Sequence, residues 1–392
     1  MNAPFVVRPM QYSASAKRFL RTPTFGILST HPPTLCGLAT FSVALAVNLG
    51  DLGAEVGVVQ IEDGPPSQND RVVGHLVNGS PASIAACSAL LNRNDVAIIQ
   101  HEYGLYGGTD GDEVVEIMRG LTVPAIVVAH TVLKDPTPHQ RSVLEDVVRL
   151  ADQVVVMSDT ARERLRSGFA VDPAKVVTIP HGAALPTTPA LKRSGRPTLL
   201  TWGLIGPGKG IERVIEAMVS LKQLPGRPQY LIAGQTHPKV LASQGEAYRE
   251  GLVEQAERLG VSDCVSFDAR YRSPKSVTAL IQTAAAVVLP YDSKDQVTSG
   301  VLVDSLASGR PVVATAFPHA TELLSGGAGS VVGHDDAAGL VNVLNKLLTD
   351  PRVAGTMANE ARQLAPTMAW PVVAAAYVDV AQRLLSARAA VA

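Results

Sequence analysis

Short apolar runs alternate with longer helix-like stretches along this chain, and the alternation occurs twice. In the first half Phe25–Ser29, Ala54–Gln60, Val96–Gln100, Ala125–Ala129 and Val154–Met157 read as strands. Helical stretches such as Leu38–Leu49, Asp112–Gly120 and Gln140–Ala151 lie between them. Thr198–Trp202, Tyr230–Gly234, Val265–Phe267, Ala284–Tyr291 and Val312–Ala314 repeat the pattern, with a helix containing Gly245–Arg249 before the third. Apolar runs of this type, separated by helices, predict parallel sheets covered on both faces: an α/β, doubly wound architecture. At 392 residues the chain exceeds what one core usually supports, so two domains are expected. The stretch 183–197, polar and carrying Pro186, Pro189 and Pro197, reads as the linker. The expected division is a flexible tail 1–24, a first domain 25–182, the linker 183–197, a second domain 198–365 and a helical segment 366–392.

Composition removes several function classes. A net charge of −1 and a pI near 6.8 argue against nucleic acid as the main partner. Cys36, Cys87 and Cys264 are far apart and in no metal-like spacing, so they read as free thiols of a reducing, cytoplasmic setting. No apolar run reaches the ~18 residues of a membrane span. The first 24 residues carry Arg8, Lys17, Arg18 and Arg21 but no signal-peptide core. With no acidic residue before Asp51, a weak membrane-surface association is one option there, a solvated tail the main reading.

Three loop-to-helix junctions carry the candidate chemistry. His31 to Gly37 follows the first strand, and Gly37 allows close approach of a ligand. Gly203 to Gly210, with Lys209, suits an anionic diphosphate; it nearly spells an ATPase phosphate loop, but Gly210 stands where the magnesium-binding hydroxyl would be. Gln296 to Thr315 reads as a polar loop, a helix of about nine residues ended by Gly309, and a buried strand. Its helix start offers unpaired N–H groups, and Gln296 and Asp304, eight residues apart, can face one ligand. His101-Glu102-Tyr103 and His130 sit at predicted strand ends, where parallel sheets bind ligands. Gly104–Gly111 reads as a mobile loop above them.

In order and spacing, the Gly37 loop, His130, Gly203–Gly210 and Gln296–Thr315 resemble the family-four glycosyltransferases of GT-B fold, over roughly residues 25 to 385. The resemblance implies two facing Rossmann-like domains, with the helix around Trp370–Leu385 crossing back onto the first. It implies a retaining hexosyltransferase, GDP-mannose being the expected donor and UDP-glucose the alternative, with a saccharide or glycolipid acceptor. No metal and no cofactor beyond the nucleotide sugar are implied. Donor contacts fall to Gly37, Gly206, Gly208, Lys209, Gln296, Thr298, Ser299, Gly300, Val301 and the ribose-facing Asp304. Arg270 and Tyr271 lie at the base position, His130 beside the sugar, and His101, Glu102 and Tyr103 toward the acceptor. The chain departs from the pattern at Gln296 and Asp304, where the family has Glu, at Leu204 for Arg, at Cys36 for Gly and at His181 for the hinge Asn. Those departures keep open a non-catalytic nucleotide-sugar-binding protein, and another GT-B enzyme such as an epimerase. A homodimer is a further option.

Overall fold

The computed structural model describes residues 21–62, 64–187 and 195–391. Seven parallel strands form the first sheet: β1 (Phe25–Ser29), β2 (Val56–Ile61), β3 (Val72–Leu76), β4 (Val96–His101), β5 (Ala125–Ala129), β6 (Gln153–Val156) and β7 (Val176–Thr178), in the order β3-β2-β1-β4-β5-β6-β7. Six form the second: β8 (Thr198–Trp202), β9 (Gln229–Ala233), β10 (Val265–Asp268), β11 (Ala286–Leu289), β12 (Val312–Thr315) and β13 (Gly329–Val332), in the order β10-β9-β8-β11-β12-β13. Strands β1, β4, β5, β11 and β12 are buried along their whole length, as apolar runs covered by helices on both faces must be. The strand order reverses between β1 and β4 and again between β8 and β11, which opens a crevice at the carboxyl end of each sheet.

Edge strands β3 and β13 were not legible as strands. Val72-Val-Gly-His-Leu76 interrupts its apolar residues with Gly74 and His75, and only Leu76 is buried. The helix read through Gly245 is two helices, Pro238–Gln244 and Ala247–Arg258, because Gly245 adopts φ +64° and ends the first. Gly104–Gly111, expected as a mobile loop, is packed against the first core. Tyr103 and Tyr106 are built into the first core, the Tyr106 hydroxyl donates to the Gln100 carbonyl at 2.6 Å, and side-chain carbon at Gly107, Gly108 or Gly111 would collide with Glu113, Asp112 or the Tyr103 carbonyl.

The expected tail is shorter than 24 residues: Thr24 donates to Asp95 through its amide (2.8 Å) and hydroxyl (3.1 Å). Residues 1–20 lie outside the described residues, as do 188–194 of the expected linker. Ala183, at the linker's start, is pinned by Ala183 N to the Met368 carbonyl (2.7 Å) and Trp370 N to its own carbonyl (3.2 Å). From there the C-terminal helix Trp370–Val391 lies along the helix Gly37–Asp51. Trp370, Val373, Ala374, Tyr377 and Val380 pack with Phe41, Leu45 and Leu49 into one cluster that covers a face of the first sheet. No helix among the described residues is long and apolar enough to cross a membrane.

Candidate functional site

The loops after β8 and β11 meet in one cleft of the second domain, and Phe41 of the first domain's Gly37–Asp51 helix touches His130 and His181, which in turn lies against Gly300. Gly203, Gly208 and Gly210 all adopt positive φ, so the loop after β8 turns back on itself over the end of β11. At Gly210 (φ +60°) a side-chain carbon would strike the Pro290 carbonyl. Gly210 therefore begins the helix Ile211–Leu221 with no side-chain cap, which leaves that helix's first N–H groups open. Lys209 lies just before it, its ammonium 4.4 Å from the centre of the Tyr291 ring. Lys209 has no ion pair among the described residues, and burial lowers its pKa. An ammonium removed from water without a counterion is poised for an anion. A cleft of about 400 Å³ opens in front of it, lined by Pro207, Gly208, Lys209, Tyr291, Asp292, Ser293 and Gln296. Arg213, on the helix that follows the loop, is occupied by Asp292 (2.5 Å) and the Pro290 carbonyl (2.9 Å).

The loop after β11 supplies the opposite wall. Ser299 caps the helix Gly300–Ala307, accepting from Leu302 N at 3.3 Å, which leaves the amides of Gly300 and Val301 to a ligand or water. The helix has eight residues, and Gly309 (φ +70°) terminates the turn after it as read from the sequence. The Gln296 amide is anchored: its Nε2 donates to the Thr298 carbonyl at 2.9 Å, which leaves its second N–H and its oxygen for a ligand. The Thr298 hydroxyl is buried without a partner, a group that asks for water or ligand. Asp304 begins the second turn of this helix, its carboxyl pushed up to about 7 by burial. His319, outside the residues singled out from the sequence, accepts from Ser299 N at 2.8 Å through Nδ1, and burial lowers its pKa to about 3. It is a neutral imidazole that holds the loop.

On the first sheet, β4 and β5 end side by side, and His130 N donates to the His101 carbonyl at 3.1 Å. Desolvation lowers the pKa of His130 to about 3, so its ring is neutral. Its Nε2 donates to Gln100 Oε1 at 2.5 Å, and its ring meets Phe41 edge-on at 5.1 Å. Gln100, on β4 and fully buried, enters the sequence reading only as the end of a strand; no local pattern marks it as the group that sets the His130 tautomer. Glu102 accepts from the Thr131 hydroxyl, and burial raises its pKa. His101 Nδ1 and the Tyr103 hydroxyl are buried without partners, their rings 5.3 Å apart. Gly37 starts its helix with open space where a side chain would be, behind Cys36, whose sulfur accepts from Ala39 N. The hinge residue His181 lies against Gly300, where an added Cβ would sit 2.9 Å from its Nε2. Arg270 and Tyr271 follow β10: Arg270 is strongly exposed with its guanidinium paired to Asp268 at 2.7 and 2.9 Å, and Tyr271 is exposed beside it.

Residues 36–185 match the model of Glycosyltransferase Family 4, and residues 188–364 that of Glycosyl transferases group 1. A D-inositol 3-phosphate glycosyltransferase of Mycolicibacterium vanbaalenii is 30% identical over 278 residues, 63% of this chain and 59% of that protein. D-inositol 3-phosphate glycosyltransferase 2 of Catenulispora acidiphila is 28% identical over 64% of this chain and 60% of its own length. The chain thus spans about three-fifths of the length of the curated relatives it matches. Among solved structures, sucrose-phosphate synthase from Thermosynechococcus elongatus superposes with a TM-score of 0.73 at 18% identity, covering 93% of this chain and 99% of that one. Anabaena HepE in complex with UDP and glucose gives 0.71 at 16%, covering 91% and 98%. At such identities these likenesses show the fold, which is GT-B. Each half of the chain thus carries a glycosyltransferase match, Family 4 on the first sheet and group 1 on the second, on a GT-B fold.

Proposed function

We propose that the protein is a retaining hexosyltransferase that takes a nucleotide sugar in this cleft and transfers the sugar to a hydroxyl of a saccharide or glycolipid in the cytosol. The observation that carries the reading is Lys209: a desolvated ammonium without a counterion, stacked on Tyr291 and followed by an uncapped helix start. A diphosphate is the ligand such a site neutralises. In this reading the bond from the sugar to the diphosphate breaks as the acceptor oxygen bonds to the same face of the sugar, and the acceptor proton passes to the departing phosphate oxygen. Lys209 and the amides of Gly206, Gly208 and Ile211 stabilise the charge that develops on it. Gln296 Oε1 and the Gly300 and Val301 amides orient the sugar, Asp304 meets the ribose, and Gly37 gives the ligand room on the facing side. Neutral His130, its tautomer set by Gln100, contacts a sugar hydroxyl, and His101, Glu102 and Tyr103 receive the acceptor. With the charge answered by protein groups, the proposal needs no metal ion.

For the donor, the structural relative HepE, in complex with UDP and glucose, moves the weight from GDP-mannose toward a UDP-hexose of the glucose type. The test is acceptor-dependent nucleotide release from UDP-glucose, GDP-mannose and ADP-glucose, without added metal, using inositol phosphates, hexose phosphates and oligosaccharides as acceptors. Release from one donor that requires an acceptor, with the anomeric configuration kept in the product, is the expected result. Binding of a donor without turnover at any acceptor would instead favour the nucleotide-sugar-binding protein, with Gln296 as the reason.

A further inference from the structure

The donor loop is held from both sides, and one of those sides belongs to the other domain. Helix Asp159–Gly168 follows β6 of the first sheet, with Ser158 as its cap, accepting from Ala161 N at 3.0 Å. The same Ser158 hydroxyl donates to the Val297 carbonyl at 2.7 Å, across the domain boundary. Val297 itself is 3% exposed and is packed in the hydrophobic core of the first domain, although it lies between Gln296 and Thr298 of the second. One turn along the helix, Arg164 Nη1 donates to Asp295 Oδ1 (2.6 Å), to the Asp295 carbonyl (3.0 Å) and to the Val132 carbonyl (2.9 Å). Asp295 Oδ2 also accepts from Lys134 N at 3.1 Å, so this one carboxylate is gripped by two segments of the first domain.

The reciprocal contact comes from the second domain. Glu322 accepts from Asp159 N (2.9 Å), Thr160 N (2.8 Å) and the Thr160 hydroxyl (2.7 Å), so it answers the open amides at the start of the first domain's helix. Glu322 lies on helix Pro318–Leu324, one turn beyond His319, which accepts from Ser299 N and donates its own amide to the Gln296 carbonyl at 3.2 Å. The short helix therefore touches the donor loop with His319 and the opposing domain with Glu322.

We propose that helix Asp159–Gly168 is a positioning element for the donor loop, with Arg164 and Glu322 as its positioning residues, so that the wall carrying Gln296, Thr298 and the Gly300 amide takes its ligand-ready shape only when the domains are docked. Opening the domains removes the Ser158, Arg164 and Lys134 contacts together, and Val297 leaves its core. Donor affinity is then coupled to docking, and by linkage a donor favours the docked arrangement. This inference rests on the donor reading of the cleft, and its test includes a readout that does not.

The experiment compares the full chain with Glu322→Gln, Arg164→Gln, Asp295→Asn and the Arg164→Gln/Asp295→Asn double variant. Gln at 322 keeps the shape but offers one acceptor oxygen in place of two. Backbone amide exchange of the peptide spanning 293–303 is read first, in the absence of any ligand. We expect about tenfold faster exchange there in each single variant, with the strand amides of β8, β9 and β11 unchanged, and no further increase in the double variant because the two groups act as one contact. UDP, used as probe in calorimetry, should bind about tenfold more weakly to each variant. In turnover, the donor KM should rise with kcat changed less than threefold. Exchange and UDP affinity both within twofold of the parent in Glu322→Gln and Arg164→Gln would overturn the proposal. If UDP does not bind the parent protein at all, the donor reading fails, while the exchange result still decides whether the first domain holds this loop.

Discussion

Replacing Lys209 by Met removes the charge while keeping an unbranched apolar stem on the Tyr291 ring. The Lys209 side chain is half-buried, its ammonium stands 4.4 Å from that ring and it has no ion pair among the described residues. Its pKa lies below the usual lysine range because burial disfavours the charged form. The sign of the stability effect follows. The unfolded chain binds this proton more tightly than the fold, so below the folded pKa the charge opposes folding, and stability rises as pH increases through that pKa. The cation–π contact returns about 0.5–1 kcal/mol of the cost. Lys209→Met should therefore leave the melting temperature unchanged or raise it. Ligand binding moves the other way. A charge-assisted hydrogen bond to a phosphate contributes about 1.5–3 kcal/mol net, and a unit charge at ~4 Å in a medium of effective dielectric ~20 about 4 kcal/mol. A loss of about 3 kcal/mol corresponds to about a 10²-fold fall in kcat/KM. The assay is acceptor-dependent nucleotide release together with a thermal melt of the same preparation. Activity within a few-fold of the parent would remove Lys209 from charge stabilisation, and a large drop in melting temperature would show that its role is structural.

Three further outcomes are expected. Gly210→Ala forces a side chain into φ +60° against the Pro290 carbonyl, and should cost about 2–3 kcal/mol, or about 5–10 °C in the melting temperature of the intact protein. Gln296→Glu replaces the donor to the Thr298 carbonyl by a second acceptor, so the loop should lose about 1–2 kcal/mol and its amides should exchange faster, even though the family's usual residue is restored. Asp304 has a carboxyl pKa raised to about 7 against an unfolded value near 4, so the fold holds the proton more tightly and its contribution is fully present below pH ~4 and lost as pH rises toward ~7. Asp304→Asn should flatten that part of the stability profile, as measured by denaturant melts between pH 4 and 8.

Much of the architecture was readable from the chain because doubly buried strands must be apolar throughout. Phe25–Ser29, Ala125–Ala129 and Thr198–Trp202 announce themselves that way, and each was placed at its observed bounds. The glycine positions were legible for a related reason: positive φ at Gly203, Gly208, Gly210 and Gly309 excludes most other residues, so the loops bearing Lys209 and Gln296 carry their own signature. Edge strand β3 failed this test because a strand with one neighbour is not required to be apolar on both faces. The helix break at Gly245 was hidden because a glycine in a helical pattern does not by itself declare a turn.

What only the tertiary structure decided concerns pairs of residues distant in the chain. Gln100 meets His130 because β4 and β5 are neighbours, Tyr291 lies under Lys209 because β8 and β11 are, and Arg164 and Glu322 reach Asp295 and the first helix turn across two domains. A sequence determines local backbone preference and which faces must be buried, since both depend on near neighbours. Which polar atom answers which, whether Gln296 keeps a free amide, and whether Lys209 finds a counterion depend on distances set by the packing of the two sheets.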